Sequence, residues 1–130
     1  MEFILIPTKK CGDIDFYADR KLVRSLLGKY ETFTKSKTSV NSCDDFGFCH
    51  SYYDKSNRLI ALEFFPESVL VLDDISLFVQ TPNDLINLLK LKDSNLYVDE
   101  YSILSKILGI GIDLTENHIN SILVCTHDYY

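Results

Sequence analysis

Thiol, imidazole and carboxylate side chains occur close together between residues 43 and 50. The metal-binding residue types in this stretch are Cys43, Asp44, Cys49 and His50. Their spacing matches no established pattern of metal ligands. Cys49 adjoins His50, but neighbouring residues of a strand point to opposite faces, which separates a nucleophile from its base. We therefore predict that this region holds no metal, no cofactor and no cysteine–histidine catalytic pair.

Two pairs of adjacent aspartates are further candidates for acid–base chemistry. They are Asp44-Asp45 and Asp73-Asp74. The acid and base of a glycosidase usually come from separated positions that face one cleft, whereas adjacent aspartates in turns are typical of solvated loops. Gly109 and Gly111 lie within a predicted strand and not before a helix, so they form no phosphate-binding loop. The sequence thus favours a protein that is not an enzyme.

One alternative stays open for the strand that contains His50. The alternation along residues 46–53 places His50 and Tyr52 on the same face. With carboxylates nearby, these side chains would suit a small ligand-binding or hydrolytic α+β domain.

The charge balance limits the partners of the chain. Its 130 residues carry 19 acidic and 13 basic side chains, for a formal net charge of −6. Nucleic acids and anionic membranes need basic surfaces, so the charge argues against both. It favours solubility and, more weakly, a basic protein partner. No apolar run approaches the length of a membrane span or a secretory signal, so we expect a cytoplasmic protein. In the reducing cytosol its four cysteines should be free thiols.

Apolar spacing predicts two helices. Leu22, Val23, Leu26 and Leu27 form a stripe within a helix over residues 18–28, and its basic residues lie outside that stripe. The sequence Thr81-Pro82-Asn83-Asp84 is a strong helix start, and it predicts a second helix over residues 82–91. Residues 97–108 fit a helix or a strand, and we favour the strand slightly.

The remaining apolar runs predict strands. A first strand covers Phe3–Ile6. Between residues 59 and 79, breaks too short for a parallel crossover indicate an antiparallel meander. Its runs are Leu59–Phe65, Val69–Leu72 and Ile75–Val79. Residues 108–114 and 119–125 form a second, C-terminal hairpin. The prediction is one α+β domain over residues 1–130, with a single antiparallel β-sheet and two or three helices packed on one side of it.

The end of the chain resembles a loose group of small bacterial proteins. Residues 105–130 read SKILGIGIDLTENHINSILVCTHDYY, similar to a pattern "S-K-x-L-G-I-x-I … I-x-S-I-L-V … Y" in that group. Residues 12–16 and 60–65 are similar to the group as well. Where a role is assigned, many of these proteins resemble immunity proteins encoded beside contact-dependent growth inhibition toxins. The resemblance implies an antitoxin that binds a cognate toxin, with a basic nuclease as the expected target.

This hypothesis points to acidic turns and nearby tyrosines as contacts. Tyrosine is enriched at protein interfaces, and acidic groups steer basic partners. A one-to-one complex would occlude the toxin's active site without catalysis. A third possibility is a structural subunit whose strand around Gly109–Gly111 adds to a partner's sheet. The predicted toxin-binding residues are Asp44, Asp45, Tyr53, Asp54, Asp73, Asp74, Asp99, Glu100 and Tyr101.

Overall fold

The structure is a computed structural model that describes residues 2–130. Within these residues the chain forms two α-helices, one short 3₁₀ helix and two β-sheets. The helices are α1 (Arg20–Leu27) and α2 (Pro82–Lys90), and the 3₁₀ helix is Leu77–Val79. The strands are β1 (Glu2–Ile6), β2 (Lys10–Cys11), β3 (Ile14–Asp15), β4 (Glu31–Phe33), β5 (Cys43–Asp45), β6 (Cys49–Tyr53), β7 (Leu59–Phe64), β8 (Val69–Leu72), β9 (Ile75–Ser76), β10 (Tyr97–Val98), β11 (Ser102–Ser105), β12 (Ile110–Thr115) and β13 (His118–Cys125).

The strands divide between a large and a small sheet. The large sheet has the order β10-β11-β12-β13-β7-β6-β5-β4, and all its pairs are antiparallel. The small sheet has the order β3-β2-β1-β8-β9, in which β1 and β8 run parallel. The α+β prediction is therefore confirmed, whereas the prediction of a single antiparallel sheet is wrong.

The error in that prediction lies at the break Pro66–Ser68. β7 stays in the large sheet, and the chain then crosses to the small sheet, where β8 pairs with β1. The hydroxyl of Ser68 donates a hydrogen bond to the carbonyl of Phe48 at 2.9 Å, which fixes the turn between the sheets. β8 and β9 do form the expected hairpin, although the third run ends in the 3₁₀ helix.

Both predicted helices are confirmed, with a correction to the buried face of α1. Arg20, Val23 and Leu27 are its buried residues, whereas the side chains of Leu22 and Leu26 are 50% and 37% exposed. An i, i+3, i+7 stripe that begins with an arginine thus replaces the predicted leucine stripe. At α2, the hydroxyl of Thr81 accepts a hydrogen bond from the backbone N–H of Asp84 at 3.1 Å, as the N-cap prediction requires.

The C-terminal half of the large sheet follows the predicted hairpin. β10 and β11 pair with each other, which confirms strand rather than helix in residues 97–108. β12 pairs with β11 on one edge and with β13 on the other. A strand enclosed in this way offers no free edge, so the suggestion that the Gly109–Gly111 region extends a partner's sheet is wrong.

The hydrophobic core lies between the two sheets. The rings of Phe3 on β1 and Phe64 on β7 approach to 5.0 Å between centroids. The same cluster includes Val23 of α1 and Leu85 of α2, so both helices pack on the side of the large sheet that faces the small one. We call the opposite side of the large sheet its outer face.

Candidate functional site

A row of directly paired residues crosses the outer face. Each member lies opposite the next one on the adjacent strand, and the row runs through six strands from β5 to β11. Because paired residues on neighbouring strands place their side chains on the same side of a sheet, the row forms one continuous surface. Its members are Asp45, His50, Glu63, Leu123, Gly111 and Leu104.

Glu63 is the best-held side chain of this row. Its Oε1 accepts a hydrogen bond from the Tyr52 hydroxyl at 2.6 Å, and its Oε2 accepts one from the Ser121 hydroxyl at 2.8 Å. The side chain is 23% exposed. Burial and the hydrogen bond to Glu63 raise the pKa of Tyr52, so its hydroxyl stays protonated and continues to donate. The carboxylate is thus fixed in position while one side of it faces solvent.

The imidazole of His50 lies between two carboxylates. Its Nε2 is 3.4 Å from Oδ1 of Asp45, and its Nδ1 is 3.9 Å from Oε1 of Glu63. The rings of Phe33 and Phe65 both approach the imidazole to 4.8 Å between centroids. The structure therefore brings His50 and Tyr52 together with carboxylates, as the alternative from the sequence required.

A groove of about 220 Å³ continues from Glu63 toward β11. Asp113 and Ser121 form its polar wall, and Leu104 and Leu123 supply apolar surface. An amide hydrogen of Asn120 is donated to Oδ2 of Asp113 at 3.1 Å. Among residues 2–130, those that line the groove include neither lysine nor arginine. The groove is therefore acidic and lies open on the sheet surface.

The segment Thr126–Tyr130 folds back over the outer face. The backbone N–H of Thr126 donates to the carbonyl of Ile60 at 3.0 Å, which anchors the segment beside β7. Tyr129 packs on a second apolar cluster, and the hydroxyl of Tyr130 lies where a side chain at Gly111 would stand. Because Gly111 has no side chain, the hydroxyl of Tyr130 can occupy this position beside the groove. The second cluster comprises Cys43, Tyr52, Ala61 and Cys125.

Asp44 belongs to a different site, which is buried against α1. Its carboxylate is 0% exposed and receives two hydrogen bonds each from Arg20 and Arg24. The Tyr53 hydroxyl and the Thr32 hydroxyl donate to it as well, at 3.0 and 3.2 Å. Burial would raise the pKa of Asp44, but the hydrogen bonds from Arg24, Arg20 and Tyr53 outweigh burial and hold the pKa well below its usual range.

Three of the other predicted contact residues, Asp54, Asp73 and Asp74, lie in tight turns. Asp54 accepts backbone hydrogen bonds from Ser56 and Arg58, both at 2.9 Å, and so shapes the β6–β7 loop. Asp73 and Asp74 both have positive φ angles, 50° and 65°, in the β8–β9 hairpin, which suits an acidic pair at a two-residue turn. Asp73 also forms an ion pair with Lys92.

Asp99 organises the turn between β10 and β11. It accepts hydrogen bonds from the Tyr97 hydroxyl at 2.6 Å and from the backbone N–H of Tyr101 at 2.8 Å. The hydrogen bond from Tyr97 is the main reason that the pKa of Asp99 is lowered. Glu100 and Tyr101 are exposed on this turn. Asp45, the remaining candidate, accepts from the backbone N–H of Gly47 at 2.7 Å and faces His50.

The nine predicted contact residues do not meet in one patch. The turn with Asp99 lies at the β10–β11 edge of the large sheet, whereas Asp45 lies on β5, five strand spacings from β11. At about 4.8 Å per spacing this is ~24 Å. The turn with Asp73 belongs to the small sheet. Tyr53 and Asp44 are buried, so their side chains are not part of the surface.

Sequence reasoning did not select the residues of the groove. Glu63, Ser121 and Asp113 come from three strands, and only the sheet order brings them together. One signal was available for Glu63, since it is the single charged residue in the apolar run LIALEFF. A lone charge at an alternating position of a strand marks the face that the core does not cover.

Comparisons with protein-family models, with curated proteins and with solved structures found no match to this chain. Among residues 2–130, no helix has the length and apolarity needed to cross a bilayer. In the same part of the chain, no three histidine, cysteine, aspartate or glutamate side chains are grouped so that they could hold a metal ion. The four cysteines are free and buried, which confirms the expected thiols.

Proposed function

We propose that this protein is an immunity protein that neutralises a cognate basic toxin by one-to-one binding in the bacterial cytoplasm. The observation that carries the proposal is the outer face of the large sheet. It presents Asp45, Glu63 and Asp113 together with tyrosine side chains on an open surface. A protein with this surface needs affinity and no turnover to block its target.

The charge of the outer face suits a nuclease as the toxin. Nucleases grip RNA or DNA with lysine and arginine, so the surface around their active site is basic. An acidic partner is steered toward such a surface and keeps the substrate away from it. The formal net charge of −6 acts in the same direction. A standard interface would bury about 1,600 Å² in total.

Residues 105–130 resemble a loose group of small bacterial proteins, many of which resemble immunity proteins. The residues that carry this resemblance include Gly109 and Gly111. Gly109 has a φ of 62°, and a Cβ there would lie 2.5 Å from the carbonyl oxygen of Cys125. Glycine is thus required at this position by the fold. The resemblance therefore bears on the architecture, and the acidic face bears on the role.

Co-expression with the toxin encoded beside this chain tests the proposal. We expect growth to be rescued and a one-to-one complex to co-purify. The combined substitutions Glu63→Gln and Asp113→Asn on the outer face should weaken both outcomes. As a matched control, Asp15→Asn removes an exposed acid from β3 of the small sheet and should leave both unchanged. Full toxicity and no complex with the unaltered protein would refute the immunity function.

A second candidate function follows from the position of His50. An imidazole between Asp45 and Glu63, with the Tyr52 hydroxyl on Glu63, is an arrangement that small hydrolytic or ligand-binding sites use. This function predicts turnover of simple ester or phosphodiester substrates that His50→Gln abolishes. The immunity function predicts no turnover by either protein, together with unimpaired folding of the His50→Gln variant.

A further inference from the structure

We infer that the outer face of the large sheet docks a basic protein surface and that one arginine side chain of the partner enters the groove beside Glu63. In this arrangement the guanidinium lies between Glu63 and Asp113, with its aliphatic part on Leu123 and beside the ring of Tyr130. The inference rests on the proposed function and deepens it, because it names the chemical group that the partner must present.

Glu63 is a partly buried carboxylate that can still accept hydrogen bonds. A carboxylate that loses most of its contact with water is stable only when charged or polar groups compensate it. Two hydroxyls do so at Glu63, one on each oxygen, at 2.6 and 2.8 Å. Each oxygen of a carboxylate has a second lone pair, so Glu63 can accept more than these two hydrogen bonds, and Nδ1 of His50 stays 3.9 Å from Oε1. A guanidinium supplies two parallel donors and a positive charge to such a group.

Elsewhere in this chain, a carboxylate already binds two arginine side chains that also contact tyrosine rings. Both oxygens of Asp44 accept hydrogen bonds from Arg20 and Arg24. The guanidinium of Arg20 lies 4.4 Å from the ring centroid of Tyr53, and that of Arg24 lies 4.1 Å from the ring centroid of Tyr30. One carboxylate thus meets two arginine–tyrosine pairs, a buried pair with Tyr53 and a pair with the exposed Tyr30.

The outer groove has two of these three components. Glu63 is the carboxylate, and Tyr130 is the tyrosine that lines the same groove. The arginine is the component that a partner would bring. Arginine suits the groove better than lysine because its planar guanidinium binds a carboxylate with two hydrogen bonds and stacks on an aromatic ring.

The volume of the groove also favours a single side chain as its occupant. Pockets for drug-sized ligands usually measure 300–1,000 Å³. At about 220 Å³ the groove is smaller than these, and it has the scale of a single long side chain. Its depth depends on Gly111, because a side chain there would collide with Tyr130. The groove therefore receives one side chain of a larger surface, and the flat remainder of the outer face contacts the surroundings of that side chain.

Titration with N-acetyl-argininamide, followed by ¹H–¹⁵N NMR, tests the groove without the toxin. We expect the amide signals of Gly111, Asp113 and Leu123 to shift, with a dissociation constant on the order of 1 mM. N-acetyl-citrullinamide has the same shape without the charge and should not bind. N-acetyl-lysinamide should bind at least threefold more weakly than the arginine probe.

Variants show whether Glu63 and Tyr130 form the site. Glu63→Gln should weaken binding of the arginine probe at least tenfold. Asp113→Asn, at an exposed position, should weaken it severalfold, and this variant serves as the test if Glu63→Gln does not fold. Gly111→Ala should displace the Tyr130 ring and weaken binding while both carboxylates remain. Asp15→Asn on the small sheet should leave binding unchanged.

Two results would overturn the inference. One is equal binding of the citrulline and arginine probes, and the other is a set of shifts confined to the turn with Asp99. Neither result bears on the immunity function. Rescue of growth without binding of the arginine probe would refute the arginine site alone. Binding of the probe without rescue would refute the immunity function and leave the groove intact.

Discussion

Asp44 and Glu63 are carboxylates of the same sheet with opposite surroundings. Asp44 on β5 points toward α1, where two arginines surround it and no side-chain surface is exposed. Glu63 on β7 points to the outer face, where two hydroxyls donate to it, Nδ1 of His50 lies 3.9 Å from its Oε1, and nearly a quarter of its side chain stays exposed. Asp44 thus joins parts of one chain, whereas Glu63 keeps the exposure that the proposed contact with a partner requires.

α1 causes this difference between the two faces. It lies on the inner side of the large sheet and delivers Arg20 and Arg24 from consecutive turns, so both reach one carboxylate. On the outer face, the short segment Thr126–Tyr130 lies beside β7 and brings tyrosines, and Nζ of Lys35 lies 4.7 Å from the ring centroid of Tyr52. We therefore expect the inner acid to contribute to stability, and we assign the outer acid to the proposed interface.

The largest expected effect belongs to Asp44. Asp44→Asn keeps the shape but leaves Arg20 and Arg24 without their counter-charge, so the free energy of unfolding should fall by about 3–5 kcal/mol. Urea denaturation followed by circular dichroism measures the loss. Glu31→Gln, an exposed acid on the neighbouring strand β4, is the matched control and should change stability by no more than about 0.5 kcal/mol. Equal stability of the two variants would show that the ion pairs of Asp44 contribute little.

Acid should remove the contribution of Asp44 in the unaltered protein. Because the pKa of Asp44 is lower in the folded state, its contribution is complete above the unfolded value of about 3.9 and is lost as the pH falls below it toward the folded pKa. Urea denaturation at a series of pH values between about 6 and 2 should therefore show falling stability. The decline should be shallower for Asp44→Asn. The exposed acids Asp99 and Asp128, whose pKa values are also lowered, contribute the part of the decline that both proteins share.

Glu63→Gln should have the smallest effect on stability, within about 1 kcal/mol. The amide oxygen of glutamine still accepts one of the two hydroxyl donors, and no arginine loses its partner. Thermal unfolding measures this change, and the toxin-rescue assay measures the separate loss of binding. A destabilisation as large as that of Asp44→Asn would show that Glu63 serves the fold and not a partner.

Local signals in the sequence predicted the helices and hairpins well. The Thr81-Pro82 start placed α2 at its observed first residue, and Gly28 follows the last residue of α1 with a φ of 98°. The alternation of residues 108–114 and 119–125 predicted the β12–β13 hairpin. These elements are determined by neighbours within a few residues, so the sequence is enough to find them.

Pairings between segments that are distant in the chain could not be predicted from the sequence. Only four residues separate β7 from β8, which suggests a hairpin, and nothing within the run shows that β8 pairs instead with a strand near residue 3. Asp44 was predicted as a surface contact because it adjoins another aspartate after a polar loop. Its burial depends on Arg20 and Arg24, which lie 24 and 20 positions earlier in the chain. The spacing of those two arginines, four residues apart on one helix, was the available sign that they share a partner.

The parallel pairing of β1 with β8 should influence the order in which the molecule folds. Glu2 lies opposite Val69, so the large-sheet strands β4–β7 lie in the intervening loop, whereas β6 and β7 are joined by a short connection. Closing a long loop loses more entropy than closing a short one, and contacts between distant residues slow folding. The β6–β7 and β12–β13 hairpins should therefore form first, and docking of β8 on β1 should be the late step that limits the refolding rate.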